Sequence, residues 1–556
     1  MSRELEAPVV IVGGGPVGLV LGLELARRGV EAIVVEKRAD GVASGVKCNH
    51  VSARSMEIFR RLGCADLLRN AGLPPDYPHD VAIRTSFVGR EMSRIPIPSR
   101  SRRFVDTDGP DGNWPTPEPP HRINQLFLEP ILFEYASRQP RLRILDGTGV
   151  EDVEQSDEGV TARARDERTG EEITLRGKYL VGCDGGRSGV RKAIGAAYEG
   201  DPVVQRVQST LIRAPDLLSR LEVPPAWMTL TMNPRRSGNT IAIDGRETWM
   251  IFNYLRPDES DFDEVDRDWA IRTLLGVGPD FSYDVISKED WIGRRLVANR
   301  FRDRRLFICG DAAHLWVPYG GYGMNAGIAD ADNLASLLVA AVAGWGGEHV
   351  LDAYEAERLP ITSQVSRFAM SHAAGSISAR GSVPAAIEDD TADGAAVRER
   401  WGRELHDFHV QQYCCAGLNF GAYYDGSPLV AYDGSDFPAY SMGSFTPSTV
   451  PGCRTPHFTL PDGQSLYDAL GPGFTLLRFD PALDASALLL AAAARGVPLQ
   501  VLDIPADAAP DPYTTRLLLT RPDQHTAWRG DAVPADAFGL IDRIRGAVPA
   551  EARLAA

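Results

Sequence analysis

The chain has 556 residues, 44% of them hydrophobic, with 59 basic against 75 acidic side chains and a net charge of −16. Such a length allows about three domains, each with its own core, and the acidic balance argues against a nucleic-acid or anionic-membrane surface. No apolar run reaches the roughly 20 residues of a membrane span, the N-terminal residues lack the apolar core of a signal peptide, and the seven cysteines show neither a disulfide framework nor a Cys-x-x-Cys pair, so a cytoplasmic protein without metal or dithiol chemistry is expected.

The β-branched run Val9 to Val12 breaks into Gly13-Gly14-Gly15-Pro16-Val17-Gly18 and then into a helical stretch, Leu19 to Arg28. Strand, tight turn and helix are the context that a dinucleotide fingerprint requires. Gly13 permits the turn, Gly15 lets a pyrophosphate approach the backbone, and Gly18 lets helix pack on strand. A second strand, Ala32 to Val35, ends at Glu36, placed to accept ribose hydroxyls and to favour FAD or NAD over NADP. Pro16 and Lys37 flank these groups and join the expected cofactor contacts. A helix is expected near Ser52 to Leu62. Residues 106–120, rich in Pro and Gly, cannot hold regular structure; they read equally as an active-site cover or a surface excursion.

A helix over Gln125 to Arg138 leads into strands, among them the buried run Lys178 to Cys183 before Asp184-Gly185. The middle third alternates. Trp227 to Met232 reads as a strand, and Asn239 to Ile243 joins Glu247 to Tyr254 across Asp244-Gly245, a hairpin signal. This predicts an antiparallel sheet whose apolar side, with Met228, Leu230 and Trp249, would wall an organic substrate, although core packing explains the same alternation. Arg305 to Cys309 is a further buried strand, ending in Gly310-Asp311-Ala312-Ala313-His314. With the N-terminal fingerprint, this second signature indicates FAD. A long helix is expected over Gly327 to Trp345, a linker over Ser382 to Ala396, and a last α/β unit with strands at Thr475 to Phe479 and Pro498 to Leu502.

On the glycine fingerprint, the stretch Gly182-Cys183-Asp184-Gly185-Gly186-Arg187-Ser188-Gly189-Val190-Arg191, and Gly310 to His314 with Pro318-Tyr319-Gly320-Gly321-Tyr322-Gly323-Met324-Asn325 behind it, the chain resembles the FAD-dependent aromatic hydroxylases, the single-component group A flavoprotein monooxygenases. Its layout is similar to that of phenol hydroxylase and 2-hydroxybiphenyl monooxygenase. The resemblance implies an α/β fold: a Rossmann-like FAD-binding domain (1–200 and 290–380), an inserted β-sheet substrate domain (201–289, joined by part of 76–120), and a thioredoxin-like C-terminal domain (397–556) without redox cysteines.

It further implies that Asp311 accepts from FAD hydroxyls, that Pro318 and the loop Gly321, Gly323, Met324 and Asn325 face the flavin with the positive end of a helix, that Asp184 touches FAD and NAD(P)H, and that Gln125 and Arg54 contact the cofactor. Lys47 stands where the family usually has arginine, keeping the charge without the planar fork. Tyr319 lies where the family often has threonine, and its ring would reshape the pocket floor.

The reaction so implied is hydroxylation of a phenol-like or hydroxypyridine-like ring by O2 and NADPH or NADH through a flavin C4a-hydroperoxide. It needs a base for the phenolic proton. The family's base aligns with Asn49, which cannot serve; His50 is adjacent with a suitable intrinsic pKa, but neighbours on a strand point to opposite faces, so catalytic and structural readings of His50 both stand. Alternatives are a Baeyer-Villiger oxygenase on the same scaffold and a non-catalytic flavoprotein that binds an aromatic ligand. A homodimer or higher homo-oligomer is left open.

Overall fold

The structure is a computed structural model that describes residues 3–39, 41–43 and 45–549. Its first sheet has six strands in the order Arg302–Asp303, Leu306–Ile308, Tyr179–Gly182, Val9–Val12, Ala32–Val35, Leu142–Leu145. All pairings are parallel except at the Arg302–Asp303 edge. Helices cover its faces, so the central strands are apolar at every position rather than alternating, and Val9–Val12 and Ala32–Val35 are buried throughout. The helix Pro16–Arg27 packs against both Gln125–Ser137 and Tyr322–Ala343. Its Gly22 sits where a Cβ would lie 2.8 Å from Leu142.

The expected absence of a span-length apolar stretch needs correction. Tyr319–Ala343 matches a membrane span in length and composition, but 72% of its most apolar window is buried inside the protein. Its apolarity serves the core, and its two aspartates, Asp330 and Asp332, face buried arginines. The helix starts at Tyr322, five residues before the expected Gly327, because two consecutive left-handed glycines, Gly320 and Gly321, set the chain into it.

A four-stranded sheet, Arg3–Glu6, Glu172–Gly177, Val160–Asp166 and Thr148–Gln155, flanks the first. A nine-stranded sheet follows from the middle third and extends past residue 289 through Trp291–Ala298 and His314–Leu315. It is not wholly antiparallel as expected: Met228–Met232 pairs in parallel with Val81–Arg84, a strand supplied from the N-terminal part of the chain. The hairpin Ser237–Ala242 to Thr248–Tyr254 forms in the register Ala242 to Trp249. Its turn is held by the Asp244 carboxylate, which accepts from the amides of Arg246, Glu247 and Thr248.

The C-terminal sheet has the order Leu499–Asp503, Phe474–Arg478, Leu517–Thr520, Thr526–Gly530, with the first pair parallel and the others antiparallel. The helix Ser486–Ala494 makes the crossover. This is a thioredoxin-like arrangement. Between it and the nine-stranded sheet the expected linker Ser382 to Ala396 is short irregular chain with a 3-10 turn at Ala385–Glu388, and its last residues open a helix: Ala392–Tyr413, capped by Thr391, lies on the strand Glu91–Ile95, and Gly402 allows a contact in which a Cβ would be 2.3 Å from the Met92 carbonyl.

Candidate active site

A cavity of about 860 Å³ runs from the C-terminal ends of the parallel strands to the nine-stranded sheet. At its dinucleotide end each fingerprint glycine has a distinct role. Gly13 has φ +107 and would place a Cβ 2.3 Å from the Cys183 carbonyl; Gly18 would place one 1.9 Å from the Gly13 carbonyl; Gly15 has open space around its Cβ position and lines the cavity. The helix Pro16–Arg27 has no side-chain cap, so its first amides are available to an anion. Glu36 is buried, its carboxylate accepting from Gly14 N at 2.7 Å and from Arg38 N and Nε at 2.8 and 2.9 Å. Lys37 stands at the rim, exposed, 3.3 Å from Glu167.

Further along, Asp184 caps the next helix, its Oδ2 accepting from Gly189 N at 2.7 Å, while Oδ1 is buried with no protein partner. Asp311 lines the cavity, and desolvation by the protein around it raises its pKa against the pull of His314 and Lys47. The helix Tyr322–Ala343 begins without a side-chain cap, and Pro318, Gly321, Gly323 and Met324 line the cavity beside it. A glycine cradle, two uncapped helix starts and an unsatisfied Asp184 oxygen fit an FAD.

Two expected cofactor contacts lie elsewhere. Asn325 is buried away from the cavity: its amide donates to the carbonyls of His50 and Gly321 at 3.0 and 2.6 Å and accepts from Ser52 N at 2.8 Å. It clamps the helix start to the segment preceding Ser52. Arg54, on the helix Ala53–Leu62, turns its guanidinium into an ionic network with Asp332 at 2.9 Å and Glu57 at 3.1 Å, and donates to the Asp523 carbonyl at 2.9 Å. That helix presents Arg54 to the C-terminal unit, not to the cofactor cradle. Gln125 does line the cavity, its backbone N–H donating to the Cys48 carbonyl at 2.8 Å.

Lys47, Asn49 and His50 line the cavity where the two ends meet. Asn49 accepts from the Asn124 amide. His50 Nδ1 is paired with the Arg122 guanidinium, and burial together with the cations Arg122 and Arg103 lowers its pKa well below the ordinary histidine value. A neutral imidazole whose lone pair already accepts from arginine is a poor proton acceptor, which corrects the expected base role. Arg122 also lies 4.6 Å from the Trp227 ring.

At the sheet end, Met228, Leu230 and Tyr319 line the cavity. Trp249 does not. It is fully buried behind the sheet, donating to the Ala214 carbonyl at 3.3 Å and packed edge-on against Phe87. Side chains alternate along a strand, so the cavity takes the opposite parity of Thr248–Tyr254, namely Phe252 and Tyr254. Sequence reasoning also missed Arg122, Arg380, His409, Gln412 and Tyr413. The strand alternation held the signal for Phe252 and Tyr254; the helix residues carried none, since their helices reach the cavity only through tertiary packing. No residue of 106–120 lines the cavity, which favours a surface excursion; the segment is anchored by ion pairs of Asp111 with Arg103 and Glu118 with Arg69.

The fold and this cavity define a flavoprotein in which the cofactor cradle opens directly onto a chamber under the nine-stranded sheet. The chain belongs to the FAD-binding domain family of flavin-dependent aromatic-ring monooxygenases: the family's "FAD binding domain" matches residues 6–369, and "Aromatic-ring hydroxylase, C-terminal" matches residues 448–547. It is 32% identical to the FAD-dependent monooxygenase apdD of Emericella nidulans over 94% of this chain and 88% of that one. To the phenol 2-monooxygenase of a Pseudomonas strain it is 27% identical over 98% and 93%. Among solved structures, RebC with bound 7-carboxy-K252c is similar at a TM-score of 0.89 and 34% identity, covering 98% of this chain and all of that one.

Proposed function

We propose that this FAD-dependent monooxygenase hydroxylates an electron-rich aromatic ring, phenol-like or hydroxypyridine-like, using NADPH or NADH and O2 in the cytoplasm. The observation that carries the reading is the continuity of the cavity, from a cradle for FAD to a chamber walled by Trp227, Met228, Phe252, Tyr254 and Tyr413. Bound FAD supplies the redox chemistry: the nicotinamide is oxidised, one oxygen atom enters the ring, and the other leaves as water.

The residues around it divide the remaining work. Gly15 and Pro16 would admit the pyrophosphate, Gly13 and Gly18 holding the turn and the helix packing that expose them, Glu36 and Arg38 would hold the ribose end, and Asp311 and Asp184 would accept from hydroxyls along the chain of the cofactor. The amides after Gly321, at an uncapped helix start, would face the flavin ring and favour negative charge there. The aromatic and thioether side chains exclude water from the chamber. A cytoplasmic setting agrees with the seven free cysteines.

The test is incubation with FAD, NADPH or NADH, and a panel of phenols, hydroxypyridines and cyclic ketones under 18O2. One heavy oxygen on an aromatic ring, with reductant oxidation stimulated by that compound, is expected. Insertion beside a ketone would make the protein a Baeyer-Villiger oxygenase, and tight binding without oxygen transfer would make it non-catalytic.

A further inference from the structure

The cavity is electrostatically divided. Its acidic lining residues, Glu36, Glu151, Asp152, Glu167, Asp184 and Asp311, all come from the dinucleotide end. The sheet end is lined by two arginines, Arg122 and Arg380, and no ion pair with an aspartate or glutamate engages either of them among the described residues. Arg122 is occupied by His50, the Tyr413 carbonyl and the Trp227 ring.

Arg380, in the last turn of the helix Asp352–Gly381, is held but not neutralised. Its Nη2 donates to Gln205 Oε1 at 2.9 Å and to the Tyr319 hydroxyl at 3.0 Å, and its guanidinium lies 4.1 Å from the centre of the Tyr254 ring. These contacts orient the fork and leave Nε and Nη1 without a protein partner among the described residues. Tyr319 accepts from Arg380, so its own proton is available for donation. The neighbouring histidines His372 and His409 are held neutral by burial, near about 4 and about 3, and add no charge. An uncompensated guanidinium in a partly enclosed apolar chamber is stabilised by an anion brought to it.

We infer that Arg380 and the Tyr319 hydroxyl seat an anionic oxygen of the aromatic substrate, a carboxylate or an acidic ring hydroxyl, and thereby select the ring system that reaches the flavin loop. This rests on the hydroxylase reading only in taking the ligand to be aromatic.

The test is equilibrium binding to the FAD-loaded protein, read from the perturbation of flavin absorbance, with aryl carboxylic acids, their carboxamides and ring hydroxyl compounds of graded acidity. The acid is expected to bind at least tenfold more tightly than its amide in the wild type. Arg380→Met should bring that ratio within twofold at unchanged flavin content, and Arg380→Lys should retain a smaller preference, since lysine keeps charge without the fork. A carboxylate anchor gives affinity constant from pH 6 to 9; a hydroxyl anchor gives affinity that rises through the ligand's own pKa. Equal binding of acid and amide by the wild type, or a preference that survives Arg380→Met, overturns the inference. If the preference depends on Arg380 but no ring takes up 18O, the anchor stands and the hydroxylase reading fails. If rings are hydroxylated without any dependence on Arg380, the reverse holds.

Discussion

The Arg122 guanidinium pairs with Nδ1 of His50, a contact that opposes a proton-acceptor role for the histidine. The ring is neutral, with its proton on Nε2 and its Nδ1 lone pair committed. Loss of a general base costs about 10²- to 10⁴-fold in rate. We expect His50→Gln to lower kcat by less than about tenfold and to leave the pH profile of kcat in place. A hundredfold loss with the acid limb abolished would restore His50 as the base.

Burial and neighbouring cations lower the pKa of His79 and His121 as well as that of His50 well below 6.5. Each is neutral in the folded protein and protonates near its ordinary pKa once unfolded. Stability from this source is therefore complete above about pH 6.5 and is lost as pH falls below it, by about 1 kcal/mol per histidine at pH 5.5. Urea midpoints measured from pH 7.5 to 5.0 should fall, and the fall should be shallower in His79→Asn. A midpoint independent of pH across that range would show that these rings are not held neutral.

Trp249 and Phe252 lie on one strand but on opposite faces. Trp249→Ala empties a fully buried site and should cost about 3–5 kcal/mol of stability. Phe252→Ala should instead weaken aromatic ligand binding by about tenfold, with a smaller change in the unfolding midpoint, because its ring forms the chamber wall. Ligand titration and chemical denaturation of the two variants distinguish the faces; identical behaviour would contradict the parity.

Adding a methyl group at Gly18 or Gly15 should have different consequences. At Gly18 the Cβ would collide with the Gly13 carbonyl at 1.9 Å, whereas at Gly15 it would enter open cavity. Gly18→Ala is expected to destabilise even the flavin-free protein. Gly15→Ala should leave the apoprotein's melting temperature within a degree or two, a change of about 0.5 kcal/mol or less, and lower flavin retention on gel filtration. Full retention in Gly15→Ala would remove the pyrophosphate from that face.

Arg54→Met breaks a buried network with Asp332 and Glu57, so it should cost about 3–5 kcal/mol while the FAD affinity of the remaining folded protein stays within about twofold. A selective loss of FAD at unchanged stability would return Arg54 to the cofactor site.

The sequence alone determined the dinucleotide cradle, because its chemistry is local: Gly13, Gly15 and Gly18 are required by backbone approach within one strand, turn and helix, and Glu36 follows at the end of the next strand. Asp311 and the glycine loop were marked by the family resemblance rather than by local chemistry, and the alternation of Trp227–Met232 marked Met228 and Leu230. Trp249 shows the limit of that pattern. A period of two identifies two faces but does not say which one meets the core and which the cavity. Only the tertiary structure decided that, by placing Phe87 behind Trp249 and the chamber before Phe252. The same holds for His50, Arg54 and Arg380. Whether a titratable side chain is a base, a strut or an anion seat depends on partners such as Arg122, Asp332 or Tyr319, which are distant in sequence, and electrostatics acts through space rather than along the chain.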